Sequence, residues 1–384
     1  MNDVITKLIS DISINLIIKQ MSLGNTLADT IVAVEGTDNT SDFKLYYDPE
    51  DVATDLGEDT NVYKKVAAAF AQDNFMGPIG VLTYPKGDQQ IIADSPTTTY
   101  STKSTPTADG ASVELESNSS TTVTVPGIIA GLADHLWDGW RYLILDKDDD
   151  VETIKDVMHY LYTNQHGILV ASVTTIDNLK TLHDEAIGMV QKNHMGNTVV
   201  IVNKNEEEYH DIDAAVFASQ HIPLDWMHVR NLNGFTPNKW NATEYQQILN
   251  LNGLTTVNKA GDVVLSNSKA LDGSFIDNTF GIQYTRDAIQ SGLQRFINSH
   301  DLLAYDDAGI KLVIANAESI MNNVAKAGIL ANGLDGKPIF TVTGVDRAHT
   351  PNVNVVKRRY TGLSITCQLV GSMETIPLQL AVTL

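Results

Sequence analysis

The sequence predicts an α/β domain built from βαβ units, followed by an α+β domain, with an extended strand arm at each end of the chain. Three observations predict it. Short apolar runs alternate with helix-like segments from residue 31 to residue 203. The acidic excess of the chain stops near residue 235. Both chain ends alternate apolar and polar side chains in segments with no obvious local partner.

A chain of 384 residues has room for two or three domains of roughly 100–200 residues each. Its 43% apolar and 19% charged content is that of an ordinary globular protein. The expected divisions are an N-terminal linking arm (1–24), an α/β domain (25–235) carrying an inserted loop or hairpin (97–125), a C-terminal domain (236–374) and a C-terminal linking strand (375–384). Charge divides the chain in the same place. Residues 1–235 hold 14 of the 26 Lys and Arg but 35 of the 47 Asp and Glu, whereas residues 236–384 hold 12 of each. The formal net charge of −21 therefore belongs to the first part. Such a surface repels nucleic acid, while a neutral part can pack closely on other chains.

The single cysteine, Cys367, cannot form an internal disulfide, and no Cys/His spacing suits zinc. His159 and His166 read as surface or satisfied core residues rather than ligands. The N-terminal MNDVITKLISDIS lacks a basic segment followed by an apolar one, and no uninterrupted apolar run approaches the ~18 residues of a membrane span. A soluble, unexported protein without cofactor or membrane insertion is expected.

In chain order, residues 11–19 (DISINLIIK) place Ile12, Ile14, Leu16 and Ile18 at every second position, the pattern of a strand with one buried face. Residues 31–34 and 77–84 read as strands around a helix that starts near Thr60 and carries Val62, Val66, Ala69 and Phe70 as a stripe. The segment 97–125 is dominated by Ser and Thr and cannot form a core of its own. Residues 141–146, 167–173 and 198–203 are apolar runs, each followed by a segment that can be a helix, so a mainly parallel sheet is expected. Beyond residue 236, Ile282, Ile289, Leu293, Phe296 and Ile297 share a helical face. A second helix begins at Asp306 or Asp307, carries Ile310, Val313, Ile314, Ala317, Met321 and Val324, and can end at Gly328. IFTVTGV, LSITCQLV and TIPLQLAVTL are strand-like, and in the last Ile376, Leu378, Leu380 and Val382 alternate.

One stretch suggests chemistry. LILDKDDDVETI (143–154) puts Asp146, Asp148, Asp149 and Asp150 after an apolar run, where an α/β sheet binds ligands. Asp146 and Asp148 could serve a magnesium-dependent phosphohydrolase, with Ser172, Lys192 and Asp211 as further candidates. No Walker loop, dinucleotide glycine fingerprint, GxSxG elbow or HExxH pair accompanies them. Carboxylates without basic partners that repel one another in solvent and then start a helix are the simpler reading.

The C-terminal third resembles the sheath proteins of contractile bacteriophage tails and related injection machines. The residues that carry the resemblance are LDGSFIDNTFGIQYTRDAIQSGLQRFI (271–297), AYDDAGIKLVIANAESIMNNVAKAGIL (304–330) and VKRRYTGLSITCQLVGSMETIPLQLAVTL (356–384), with NVYKKVAAAFAQDNFMGPIGVLTY (61–84) a weaker match. The resemblance implies a structural subunit, not an enzyme. Copies would form hexameric rings stacked helically around a tail tube, capped by baseplate and tail terminator proteins, in a virion tail assembled in the host cytoplasm. It also implies that both terminal arms complete a sheet in a neighbouring subunit, and that contraction drives the tube through the host envelope. Lys311, Lys326, Arg347, Lys357, Arg358 and Arg359 are then candidates for contacting the tube or a neighbour. Another tail protein, of the tube or baseplate, is the alternative within that class.

Overall fold

The computed structural model describes residues 28–93, 121–191 and 194–373. Both sets of terminal-arm residues, Ile12, Ile14, Leu16 and Ile18 at one end and Ile376, Leu378, Leu380 and Val382 at the other, lie outside the described residues, as does Lys192.

The first strand, β1 (Thr30–Glu35), is followed by β2 (Asp42–Tyr46) and by α1 (Pro49–Leu56), which Asp48 caps and Pro49 opens. Neither β2 nor α1 was anticipated by the pattern. Helix α2 (Asn61–Phe70) starts at the expected Thr60, whose hydroxyl accepts from the Tyr63 amide. Then come β3 (Ile79–Tyr84), the antiparallel pair β4 (Asp88–Ala93) and β5 (Thr121–Pro126), and α3 (Gly127–His135). The β4–β5 pair forms the root of the Ser/Thr-rich insert and begins ahead of the expected boundary at 97. Next follow β6 (Tyr142–Leu145), α4 (Val151–Asn164), β7 (Ile168–Val173), α5 (Ile176–Met189), β8 (Thr198–Val202) and α6 (His210–Gln220).

Six of these strands form one sheet in the order β2-β3-β1-β6-β7-β8, parallel except for β2 at the edge. The central strands are buried along their whole length because helices cover both faces. Alternate side chains go to opposite faces. Val32, Val81, Ile144, Val170 and Ile201 pack with α1, α2 and α6; Ala33, Leu82, Leu143, Leu169 and Val200 pack with α3, α4 and α5.

After α6 the chain forms α7 (Ala242–Asn250) and the hairpin β9 (Thr256–Lys259) and β10 (Asp262–Leu265). Leu254 extends the outer edge of β8 through Leu254 N→Val200 O and Val202 N→Leu254 O hydrogen bonds. Two long helices, α8 (Ile276–Asn298) and α9 (Asp307–Lys326), lead to β11 (Phe340–Thr343), the short α10 (Asn352–Val356) and β12 (Ser364–Cys367). The apolar layer on the α2/α6 face runs on through Phe235, Leu254 and Leu265 into α8 and α9. A single core therefore crosses residue 236.

Helix α8 buries more than the predicted apolar stripe. Ile289 and Leu293 are buried as expected, but so are Thr279, Thr285, Arg286 and Gln290, while Ile282, Phe296 and Ile297 are half-buried. Thr279 donates to Gly196 O (2.9 Å), Gln283 to Gly167 O (3.1 Å) and Arg286 to Gln165 O (2.8 Å). These residues share one helical face, and the carbonyls they reach precede the amino ends of β7 and β8. Arg141, ahead of β6, lies over the rings of Phe280 and Tyr284. Polar ties thus anchor α8 beneath the parallel sheet, a role the apolar count of the sequence missed.

Candidate functional site: an open strand pair and its surroundings

Asp306 caps α9 through the Gly309 amide (2.8 Å), and Gly328, at φ +79°, ends the turn after it, as the sequence predicts. Ile310, Ala317, Met321 and Val324 face the core. Against α9 lies the antiparallel pair β11–β12, in which Val342 stands opposite Ile365 and Phe340 opposite Cys367. Phe340, Val342, Leu363, Ile365 and Leu369 turn toward the helices, whereas Thr341, Thr343, Ser364 and Thr366 are exposed. Each inward apolar residue is only half-buried.

At one end the pair is widened by the chain around Leu330, through Ala331 N→Gln368 O and Val370 N→Ile329 O (both 2.9 Å). Elsewhere, among the described residues, β11 and β12 pair only with each other. Two four-residue strands are too few to be stable on their own, and their outer edges present unpaired amides and carbonyls to an added strand. Exposed apolar side chains flank the pair: Ile339, Val345, Val370 and, most openly, Met373 (82% exposed). Cys367 lies on β12, its thiol pushed up by burial.

The six candidate contact residues divide into two places. Tyr305 is the hub of the first. Its hydroxyl donates to Arg359 O (3.0 Å), its ring meets Tyr360 edge-on at 6.1 Å, and Arg347 lies over it. Arg347 is held in turn by its amide on Asp307 (2.8 Å). Lys311 is one turn into α9, and Lys357 and Arg358 precede Arg359, so five cations gather at the amino end of α9. Lys326 sits at the other end of that helix, about 22 Å away at 1.5 Å per residue. Among the described residues, Lys311, Lys326, Lys357, Arg358 and Arg359 make no ion pair with a carboxylate.

The aspartate stretch meets a different fate from the expected one. Strand order reverses between β1 and β6, the place where open α/β sheets take ligands. The side chain of Lys65 from α2 fills it. Lys65 is 1% exposed and donates to Leu145 O (2.7 Å), Asp148 Oδ1 (2.7 Å) and Asp211 Oδ2 (2.6 Å), which uses all three of its N–H groups. Asp148 therefore has a basic partner, which corrects the reading of these carboxylates as solvated and unpaired. The error arose because the partner lies 83 residues upstream.

The neighbouring acids do other work. Asp149, at φ +58°, accepts from the Thr174 amide (2.9 Å) and hydroxyl (2.6 Å) and from Asn178 (2.8 Å), tying the β6–α4 loop to the start of α5. Asp150 caps α4 through the Thr153 amide (3.3 Å) and hydroxyl (2.9 Å), as the helix-start reading expected. Burial pushes the Asp146 carboxyl above its ordinary range, against the pull of Lys147 and Lys65. Ser172 is buried on β7, where its carbonyl accepts the Asp149 amide. Among the described residues no group of three or more His, Cys, Asp or Glu is placed to hold a metal. His159 is an exposed partner of Glu185, and His166 is buried between Trp137 and Trp140, pushed down to about 3 by burial and by the charges of Arg286 and Arg141.

No protein-family model matches the sequence, and no curated protein matches it. Solved structures do. A chain of the anti-feeding prophage baseplate superposes with a TM-score of 0.60 at 10% identity, over 97% of this chain and 100% of that one. The helical sheath of the same prophage in its contracted state gives 0.59 at 12% identity, over 98% and 99%. The sheath complex of an extracellular contractile injection system, PVC, also contracted, gives 0.56 at 13% identity over 98% of both chains. At such identities the likeness is one of fold: this chain is built as the sheath proteins of contractile injection systems are, along nearly its whole length.

Proposed function

We propose that the chain is the sheath subunit of a contractile tail or injection particle. Copies polymerise as hexameric rings stacked around a tail tube, between a baseplate and a terminator, and the sheath contracts to drive the tube through an envelope. The observation that carries this reading is the open, half-covered pair β11–β12 in a chain that shares the fold of sheath proteins. Residues 1–24 and 375–384 supply the missing strands, with Ile12, Ile14, Leu16 and Ile18, and Ile376, Leu378, Leu380 and Val382, as the alternating side chains that enter a neighbour's sheet. Main-chain hydrogen bonds give such added strands their strength and the period-two side chains fix their register.

Contraction needs no nucleotide. Its free energy is the difference between two lattices of one subunit, with the strand junctions kept while other contacts exchange. The cations at the amino end of α9, and Lys326 separately, suit contacts that exchange, because among the described residues Lys311, Lys326, Lys357, Arg358 and Arg359 make no ion pair with a carboxylate. The test is electron microscopy of the purified full chain beside a variant lacking residues 375–384. The full chain is expected to form hollow striated tubes and the shortened chain to remain folded but unassembled. Tubes from the shortened chain, indistinguishable from the full-length ones, would overturn the strand-donation reading.

A further inference from the structure

The Lys65 cluster holds more carboxyl groups than one ammonium can neutralise. Asp148 lies on the β6–α4 loop, Asp211 and Asp213 on the first turn of α6, and Asp211 and Asp213 are each only 1% exposed. From α2, Lys65 bonds Asp148 and Asp211, while Gln72 donates to Asp213 Oδ1 (2.8 Å) and exchanges hydrogen bonds with Asn233. No second cation enters from α6: His210 is fully buried, bonds Glu208 (2.7 Å), and is pushed by burial toward its neutral form. Tyr209, Asp149, Glu208 and, through the charge of Lys65, Asp146 also face the cluster. Two negative charges in excess, with Asp211 and Asp213 buried and Asp148 27% exposed, are costly, and the inexpensive remedy is a retained proton.

We propose that this cluster is an acid-tightened latch: α2, the β6–α4 loop and the first turn of α6 bind a proton together, and mild acid holds them more firmly than neutral solution does. Independent support comes from the carboxyls themselves. Burial, then the charge of Asp211, raises Asp148 to about 6 against the pull of Lys65, and the same two causes raise Asp213 well above its usual range. An unfolded aspartate loses its proton near pH 4, so the folded state carries the extra proton between about pH 4 and 6. Stability from this group is thus fully present at the acid end and is lost as pH rises through that window. The usual buried salt bridge runs the other way, gaining as its acid ionises.

The test uses the free full-length chain and does not depend on the sheath reading. Thermal unfolding is followed between pH 5.5 and 7.5, above the sequence pI of about 4.7, for wild type and Asp148→Asn. The overall negative charge already favours mild acid, so the deciding quantity is the difference between the two proteins. Asn at 148 keeps an acceptor for Lys65 and removes the ionisation. It is expected to raise Tm by about 3 °C at pH 7.5, with the gain shrinking toward pH 5.5. Infrared difference spectra supply the second readout: wild type gains a protonated-carboxyl band on acidification that Asp148→Asn lacks. Parallel Tm profiles, or the same band in both proteins, would overturn the latch. If Asp148→Asn fails to fold, Asp213→Asn carries the same comparison, with the protonated-carboxyl band of wild type again reduced in the variant.

Discussion

The six-stranded sheet and the β11–β12 pair solve the same problem differently. The large sheet buries both faces under helices, and the outer edge of β8 is taken up by Leu254. Among the described residues, the small pair covers one face incompletely and leaves strand edges open. Exposed large apolar side chains follow this division. Ten of the fifteen lie in residues 236–373, among them Val356 at 83%, although this is the shorter described part. Among the described residues, the large sheet is covered on both faces, whereas the small pair is covered on one face and only in part. A low charge density lowers the repulsion between such a surface and another chain.

Substitutions can break or sharpen this contrast. The largest effect on the isolated chain is expected inside the acidic region, from Lys65→Met. It strands Asp211 and Asp148 without a cation and should cost about 3–5 kcal/mol in denaturant unfolding. Next comes Met321→Ala on α9, which opens a cavity in the shared core and should cost roughly 2–5 kcal/mol. If it left the acidic region at wild-type stability and melted only the C-terminal part, the two regions would have separate cores.

Asp150→Ala removes the α4 cap and should cost about 1 kcal/mol. The sharpest contrast comes from Val342→Thr on the open pair. The free subunit should lose less than about 1 kcal/mol because the side chain is only half-buried, whereas tube formation should fall well beyond that loss. Equal effects on folding and assembly would mean that the pair is simply part of the core. Smallest of all, Lys357→Ala with Arg358→Ala should change subunit stability by no more than about 0.5 kcal/mol, since among the described residues neither holds an ion pair. The same exchange should reduce the salt dependence of any assembly these cations support.

Much of this was legible in the chain because it is local. The strands 31–34, 77–84, 141–146, 167–173 and 198–203 are apolar runs with turn signals at their ends, and the structure has a strand at each. Thr60, Asp150 and Asp306 are caps recognisable from their own neighbours. Arg286 was not legible, because a periodic apolar face says nothing of the polar residues buried beside it. β2 was missed because its alternation, of Phe43 and Leu45 with Asp42 and Lys44, runs for only five residues.

By itself the sequence determined the five parallel strands of the large sheet, helix α2, the two long helices α8 and α9, and the division of charge. All of these follow from side-chain periodicity and composition over a few residues. Only the tertiary structure decided which distant groups meet. It brought Lys65 to Asp148 and Asp211, gave Asp148, Asp149 and Asp150 three separate tasks, set Lys326 apart from the other cations, and left β11–β12 half-covered among the described residues. Ion pairs and strand pairing depend on proximity in space, and proximity across 80 or more residues is fixed by how the sheet and helices pack, not by any local pattern.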